Sequence, residues 1–122
     1  MKKLFLFLFL MLATSVYAFD FNASKMVVEQ YSGESWVTLL ENDSIDAHIT
    51  KHPKAIVVNL ENKTEVYRIV YEYLVKNVGD SVLDMTFSCR KEDKCLVKYT
   101  KTKNNDETLI IDFLSRRYTF YK

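Results

Sequence analysis

Residues 84–100 read DMTFSCRKEDKCLVKYT. Met85, Phe87 and Cys89 alternate with Asp84, Thr86 and Ser88. After a charged stretch, Cys95, Val97 and Tyr99 alternate with Leu96, Lys98 and Thr100. Apolar residues at every second position mark strands that bury one face. If Lys91-Glu92-Asp93 is the loop, Arg90 faces Lys94 and Cys89 faces Cys95 across an antiparallel hairpin.

The same period continues on both sides of this hairpin. Lys25–Tyr31 ends at Ser32-Gly33, and Ser35–Glu41, which carries Trp36, stops at Asn42-Asp43. Ile45, Ala47 and Ile49 alternate with Asp46, His48 and Thr50. Pro53 precedes Ala55–Leu60, where Ile56, Val58 and Leu60 share a face. Thr64–Lys76 leads to a turn at Asn77-Val78-Gly79-Asp80. Past Asn104-Asn105-Asp106, Leu109, Ile111 and Phe113 form another inward set, and Arg117–Tyr121 closes the chain. Short strands at such spacing predict an all-β, antiparallel meander of about seven to nine strands, a small barrel or a sandwich. Residues 64–76 also fit a helical stripe through Val66, Ile69, Val70, Tyr73 and Leu74. Their β-branched and aromatic content favours a strand with Tyr67, Ile69, Tyr71, Tyr73 and Val75 on one face.

With 122 residues, 48% of them hydrophobic, the chain has room for one core and is too apolar to be disordered. Its 17 basic and 16 acidic side chains exclude bulk electrostatic attraction to nucleic acid. Residues 1–18, MKKLFLFLFLMLATSVYA, have a basic start, an apolar run over Leu4–Ala13 and small residues at Val16 and Ala18. This is the pattern of a signal peptide, and the run is too short to span a bilayer. Cleavage after Ala18 leaves one β-domain, residues 19–122, with no transmembrane span, periplasmic or secreted. Cys89 and Cys95 are the only cysteines. An oxidising compartment and opposed hairpin positions predict a disulfide between them.

The order of an N-terminal strand, Trp36, Ile56–Lys63, Val66-Tyr67-Arg68-Ile69, Phe87-Ser88-Cys89, Cys95 and Leu109–Phe113 resembles small exported proteins of Bacteroidota that have no assigned activity. The resemblance implies a compact antiparallel β fold and transfers no catalytic residue. A looser likeness to lipocalin-type barrels is architectural. The short G-x-W signature of lipocalins is absent, Gly33-Glu34-Ser35-Trp36 having the wrong spacing.

Candidate chemistry is sparse. His48 and His52 would share a helix face, but on a strand they stand roughly 13 Å apart, too far for one metal ion. No nucleophile motif such as G-x-S-x-G surrounds any serine. Glu72 and Asp112 come closest to a carboxylate pair, without a local signature. Arg90, Lys91, Lys94, Lys98 and Lys101 form a basic stretch, with Lys103, Arg116 and Arg117 further on. It reads as a patch for a polyanion or partner, or as lysines that protect strand edges. Three N-x-S/T sequons begin at Asn22, Asn42 and Asn62 and matter only in a glycosylating host. Trp36, Tyr67, Tyr71 and Tyr73 serve either an aromatic binding surface or the core. The expectation is a monomeric, non-catalytic binding module for a protein, peptide or glycan, with no cofactor. The alternative is a lipocalin-like carrier of a small apolar ligand, and a hydrolase without a recognisable motif stands third.

Overall fold

The computed structural model describes residues 19–75 and 81–122. The expected signal peptide, residues 1–18, lies outside them, as does the whole of the expected turn at Asn77–Asp80. The strands are β1 Asp20–Ala23, β2 Lys25–Tyr31, β3 Trp36–Asn42, β4 Ala47–His52 and β5 Ala55–Leu60. They continue as β6 Lys63–Val75, β7 Ser81–Lys91, β8 Asp93–Thr102, β9 Glu107–Asp112 and β10 Arg116–Tyr121. All ten belong to one antiparallel sheet, ordered β1-β4-β5-β6-β7-β8-β9-β10-β2-β3.

That order curls back on itself. Only Ser24 separates β1 from β2. The Ser24 N–H donates to the Tyr121 carbonyl at 2.9 Å, and its carbonyl accepts from the Ile45 N–H at 3.1 Å. One continuous run, Asp20–Tyr31, therefore holds β4 with its first half and β10 with its second. The ladder thus returns to the strand where it began, which makes the body barrel-like and not two-layered. The inward side chains of β1 and of β4 through β10 form a single core. Aromatic rings fill one end of it. Phe19 stacks on Tyr99 with centroids 4.1 Å apart and packs obliquely on Phe21 and Phe87. The same end carries a buried hydrogen bond from the Tyr99 hydroxyl to Glu107 Oε2, 2.7 Å.

The expected hairpin is present in its expected register, with Cys89 opposite Cys95 and Arg90 opposite Lys94. Glu92 takes φ of 62°, the left-handed residue that a tight three-residue loop needs. The disulfide is not present. Both cysteines are free and buried, 1% and 5% exposed. Their thiols join the apolar interior, where a cysteine packs as a small hydrophobe. Burial pushes the Cys89 thiol up to about 12 and the Cys95 thiol up to about 11, so both stay protonated near neutrality.

Two further expectations change. β1 was not expected from the period-2 reading, which starts its strands at Lys25. β6 is a strand throughout, but Tyr67, Tyr71 and Tyr73 do not share a face. The register against β7 shifts between Ile69 and Tyr71, so Val70 is the extra residue of a bulge. Before it the odd-numbered side chains point inward, and Tyr67 is buried. After it the phase inverts, Glu72 lies opposite the inward Phe87, and Tyr71 and Tyr73 are exposed.

Candidate functional site

The end of the barrel opposite Phe19 is bounded by the β5–β6, β7–β8 and β9–β10 turns and by the β2–β3 hairpin. Here β3 leaves the body. Its only partner among the described residues is β2, while its continuation β4 stays in the ladder against β1 and β5. The same end holds a cavity of about 250 Å³. Met26, Val58, Leu60, Phe113, Tyr118 and Phe120 supply apolar wall, and Lys63, Glu65, Tyr67 and Lys91 supply its polar part. Tyr67 packs on Phe113 at 6.3 Å, and Phe113 meets Tyr118 edge-on at 6.1 Å.

Glu65 is 9% exposed because it shares the inward phase of Tyr67. A buried carboxylate needs partners. Lys63 Nζ lies 2.8 Å from its Oε1, and Lys91 Nζ contacts its Oε2. The Lys91 ammonium also stands 5.7 Å from the centroid of the Tyr67 ring. Burial raises the Tyr67 phenol well above its ordinary value, with smaller contributions from Cys95, Tyr118 and Cys89. The phenol is therefore a neutral hydroxyl in the cavity at any physiological pH.

The β2–β3 hairpin forms a flap beside this mouth. Trp36 lies against Tyr31 at 5.5 Å and under the Arg117 guanidinium at 4.2 Å, and Arg117 Nε donates to Glu29 Oε1 at 3.1 Å. Trp36 is thus half-buried on the outer surface and not in the core. Beyond it, Val37, Leu39 and Leu40 are each about half exposed (49%, 53% and 49%). The segment Lys25–Asp46 holds five carboxylates against one lysine. Lys25 bridges to Glu41 at 2.9 Å and to Asp43 at 3.6 Å, and its ammonium pKa is raised chiefly by the hydrogen bond to Glu41.

The basic stretch is dispersed by the pleat. Lys91 turns inward to Glu65, and Lys101 lies opposite Glu107 near the other end of the barrel. Arg90 and Lys94 stand on a shallow rim groove of about 760 Å³ with Glu92, Asp93 and Arg116. Lys98 is exposed on the outer surface of β8. Tyr71 and Tyr73 form an exposed pair, 4.5 Å between centroids. His48 Nε2 contacts Asp20 Oδ1 on the outer surface, and His52 is exposed at the end of β4. No three His, Cys, Asp or Glu side chains gather as a metal-holding group among the described residues. Glu72 faces Lys51 at 3.8 Å, and Asp112 Oδ1 accepts from the Leu114 N–H at 2.9 Å, so these two carboxylates are engaged separately.

Glu65 and Lys63 are not among the residues the sequence singles out, although the alternation puts Glu65 in phase with Tyr67. Neither is Leu114, which is 88% exposed on the rim with φ of 72°. A bulky residue in left-handed backbone is an outlier of the kind that collects at functional sites.

No family model, curated protein or solved structure matches this chain. Among the described residues no helix is long and apolar enough to cross a membrane. The chemistry of the mouth and the flap therefore carries the functional reading alone.

Proposed function

We propose that this is an exported, non-catalytic binding module that takes an extended protein or peptide segment as an added strand on β3. The supporting observation is the edge itself. A strand with one free side presents unpaired N–H and C=O groups, a template for another chain unless charge or proline blunts it. β3 has neither protection along its middle, where Val37-Thr38-Leu39-Leu40 is uncharged and exposed. Strand addition would supply the main-chain hydrogen bonds, and the exposed apolar side chains would supply specificity. Glu34 at the hairpin tip, and Glu41 and Asp43 sharing Lys25 at the far end of β3, favour a segment with lysine or arginine flanks. The export half of the proposal is supported by residues 1–18, and the resemblance to small exported Bacteroidota proteins is in keeping with it.

The test uses the alternation of the ladder. The Ser32 N–H donates to the Ser35 carbonyl, which makes Tyr31 and Trp36 a non-bonded pair and turns the Thr38 N–H toward the free edge. Thr38→Pro removes that donor while an edge strand tolerates the ring. Peptides selected from a displayed random library should alternate apolar residues and carry basic flanks. They should bind Thr38→Pro roughly tenfold more weakly, since a directing hydrogen bond is lost. A selection that enriches nothing, or peptides that bind the variant equally, would overturn strand addition at β3.

A further inference from the structure

Independently of the β3 edge, we propose that the mouth cavity binds a small monoanionic amphiphile, in its simplest form a medium-chain carboxylic acid. The chain would occupy the apolar part, and the carboxylate would sit beside the Lys63–Glu65–Lys91 cluster, facing the sides of the two ammonium groups that Glu65 does not cover. Size comes first. About 250 Å³ accommodates roughly eight water-sized groups at about 30 Å³ each. That is one short chain, not a sterol or a haem. Walls formed by Met26, Leu60, Phe113 and Phe120 offer water few partners, so displacing water from there by hydrocarbon is favourable.

The polar end sets the sign of the head group. Lys63 and Lys91 share one carboxylate, Glu65, and neither has another ion-pair partner among the described residues. Two ammonium groups against one carboxylate leave one positive charge at the polar part of the cavity. A single anionic head group balances it, whereas a cationic head group would add a third positive charge. Lys63 is 71% exposed at its side chain, free to close over a head group, while Lys91 is anchored against Tyr67. The Tyr67 hydroxyl, with no hydrogen-bond partner among the described residues, offers a donor to the same head group.

Octanoate and 1-octanol, titrated into the ¹⁵N-labelled protein, separate the hydrophobic and electrostatic parts. Octanoate should shift the amide resonances of Tyr67, Phe113 and Tyr118 and bind at least severalfold more tightly than octanol. Glu65→Gln frees both ammonium groups and should tighten octanoate while leaving octanol unchanged. Lys63→Met should weaken octanoate roughly two- to fivefold, the range of an exposed ion pair. Its exposed side chain makes this variant safe for folding should Glu65→Gln not fold. Equal affinity for the acid and the alcohol, or no effect of these variants on octanoate, would overturn the head-group assignment and leave a plain apolar cavity. Shifts confined to the outer surface around Leu96 and Leu114, or no shifts with either compound, would overturn the site altogether.

Discussion

Replacing Phe19 with alanine tests the packing at the closed end of the barrel. Phe19 is 5% exposed and its ring lies within 5° of parallel to that of Tyr99. A phenylalanine buries about 150–250 Å². At about 25 cal/mol per Å² this corresponds to roughly 4–6 kcal/mol of transfer free energy, an upper bound for the side chain. Alanine retains a methyl group, and Phe→Ala truncations in cores cost about 3–5 kcal/mol. Phe19 precedes the first strand, where fraying relieves part of the void, so the lower end, about 3 kcal/mol, is expected. Urea unfolding followed by tryptophan fluorescence measures it through Trp36. With a slope near 1.2 kcal/mol/M for a domain of this size, the midpoint should fall by about 2.5 M. Tyr31→Ala, at a residue 44% exposed, should cost less than about 1 kcal/mol in the same assay. A midpoint change below about 0.8 M for Phe19→Ala, with the slope unchanged, would mean that Phe19 does not plug the barrel.

The buried thiols carry two expectations: native protein at pH 8 should react slowly with a thiol reagent, and unfolded protein should titrate two thiols. Because burial raises both pKa values above the ordinary 9.0, their contribution to stability is fully present below pH 9 and falls as the pH rises toward about 12. Thermal midpoints that hold constant from pH 8 to 11, or a native protein in which no thiol titrates after unfolding, would contradict this. Leu114→Gly should stabilise the protein by about 1 kcal/mol by relieving left-handed backbone at an exposed side chain, as read by the urea midpoint. A destabilised Leu114→Gly would show that the leucine side chain makes a contact that outweighs its strain.

The register of the β7–β8 hairpin was legible because every determinant is local: the alternation of Phe87, Cys89, Cys95 and Val97 and the short charged loop between them. The bulge at Val70 was not. Nothing in Glu65–Val75 marks one residue as extra, and the phase after it follows from pairing with β7, where Glu72 meets Phe87. For the same reason three tyrosines that look equivalent in sequence divide into one core residue and two surface residues. The basic stretch divides likewise, because the pleat sends Lys91 inward and Arg90 and Lys94 outward.

By itself the sequence determined the class of the protein, its single core and most strand positions, since a strand buried on one face must alternate wherever it lies. It also placed Lys63, Glu65 and Tyr67 within five residues, yet it could not say that Lys91 would reach Glu65 from another strand. Only the tertiary structure decided that the sheet curls back through Ser24, because that closure depends on hydrogen bonds to Tyr121 and Ile45, 97 and 21 positions away in the chain. It decided too that β3 pairs only with β2 among the described residues and leaves a free edge, and that strands β2, β5, β6, β7 and β10 together line a cavity. Hydrophobic period is a property of a segment, whereas an edge, a cavity and a shared carboxylate are properties of which segments meet.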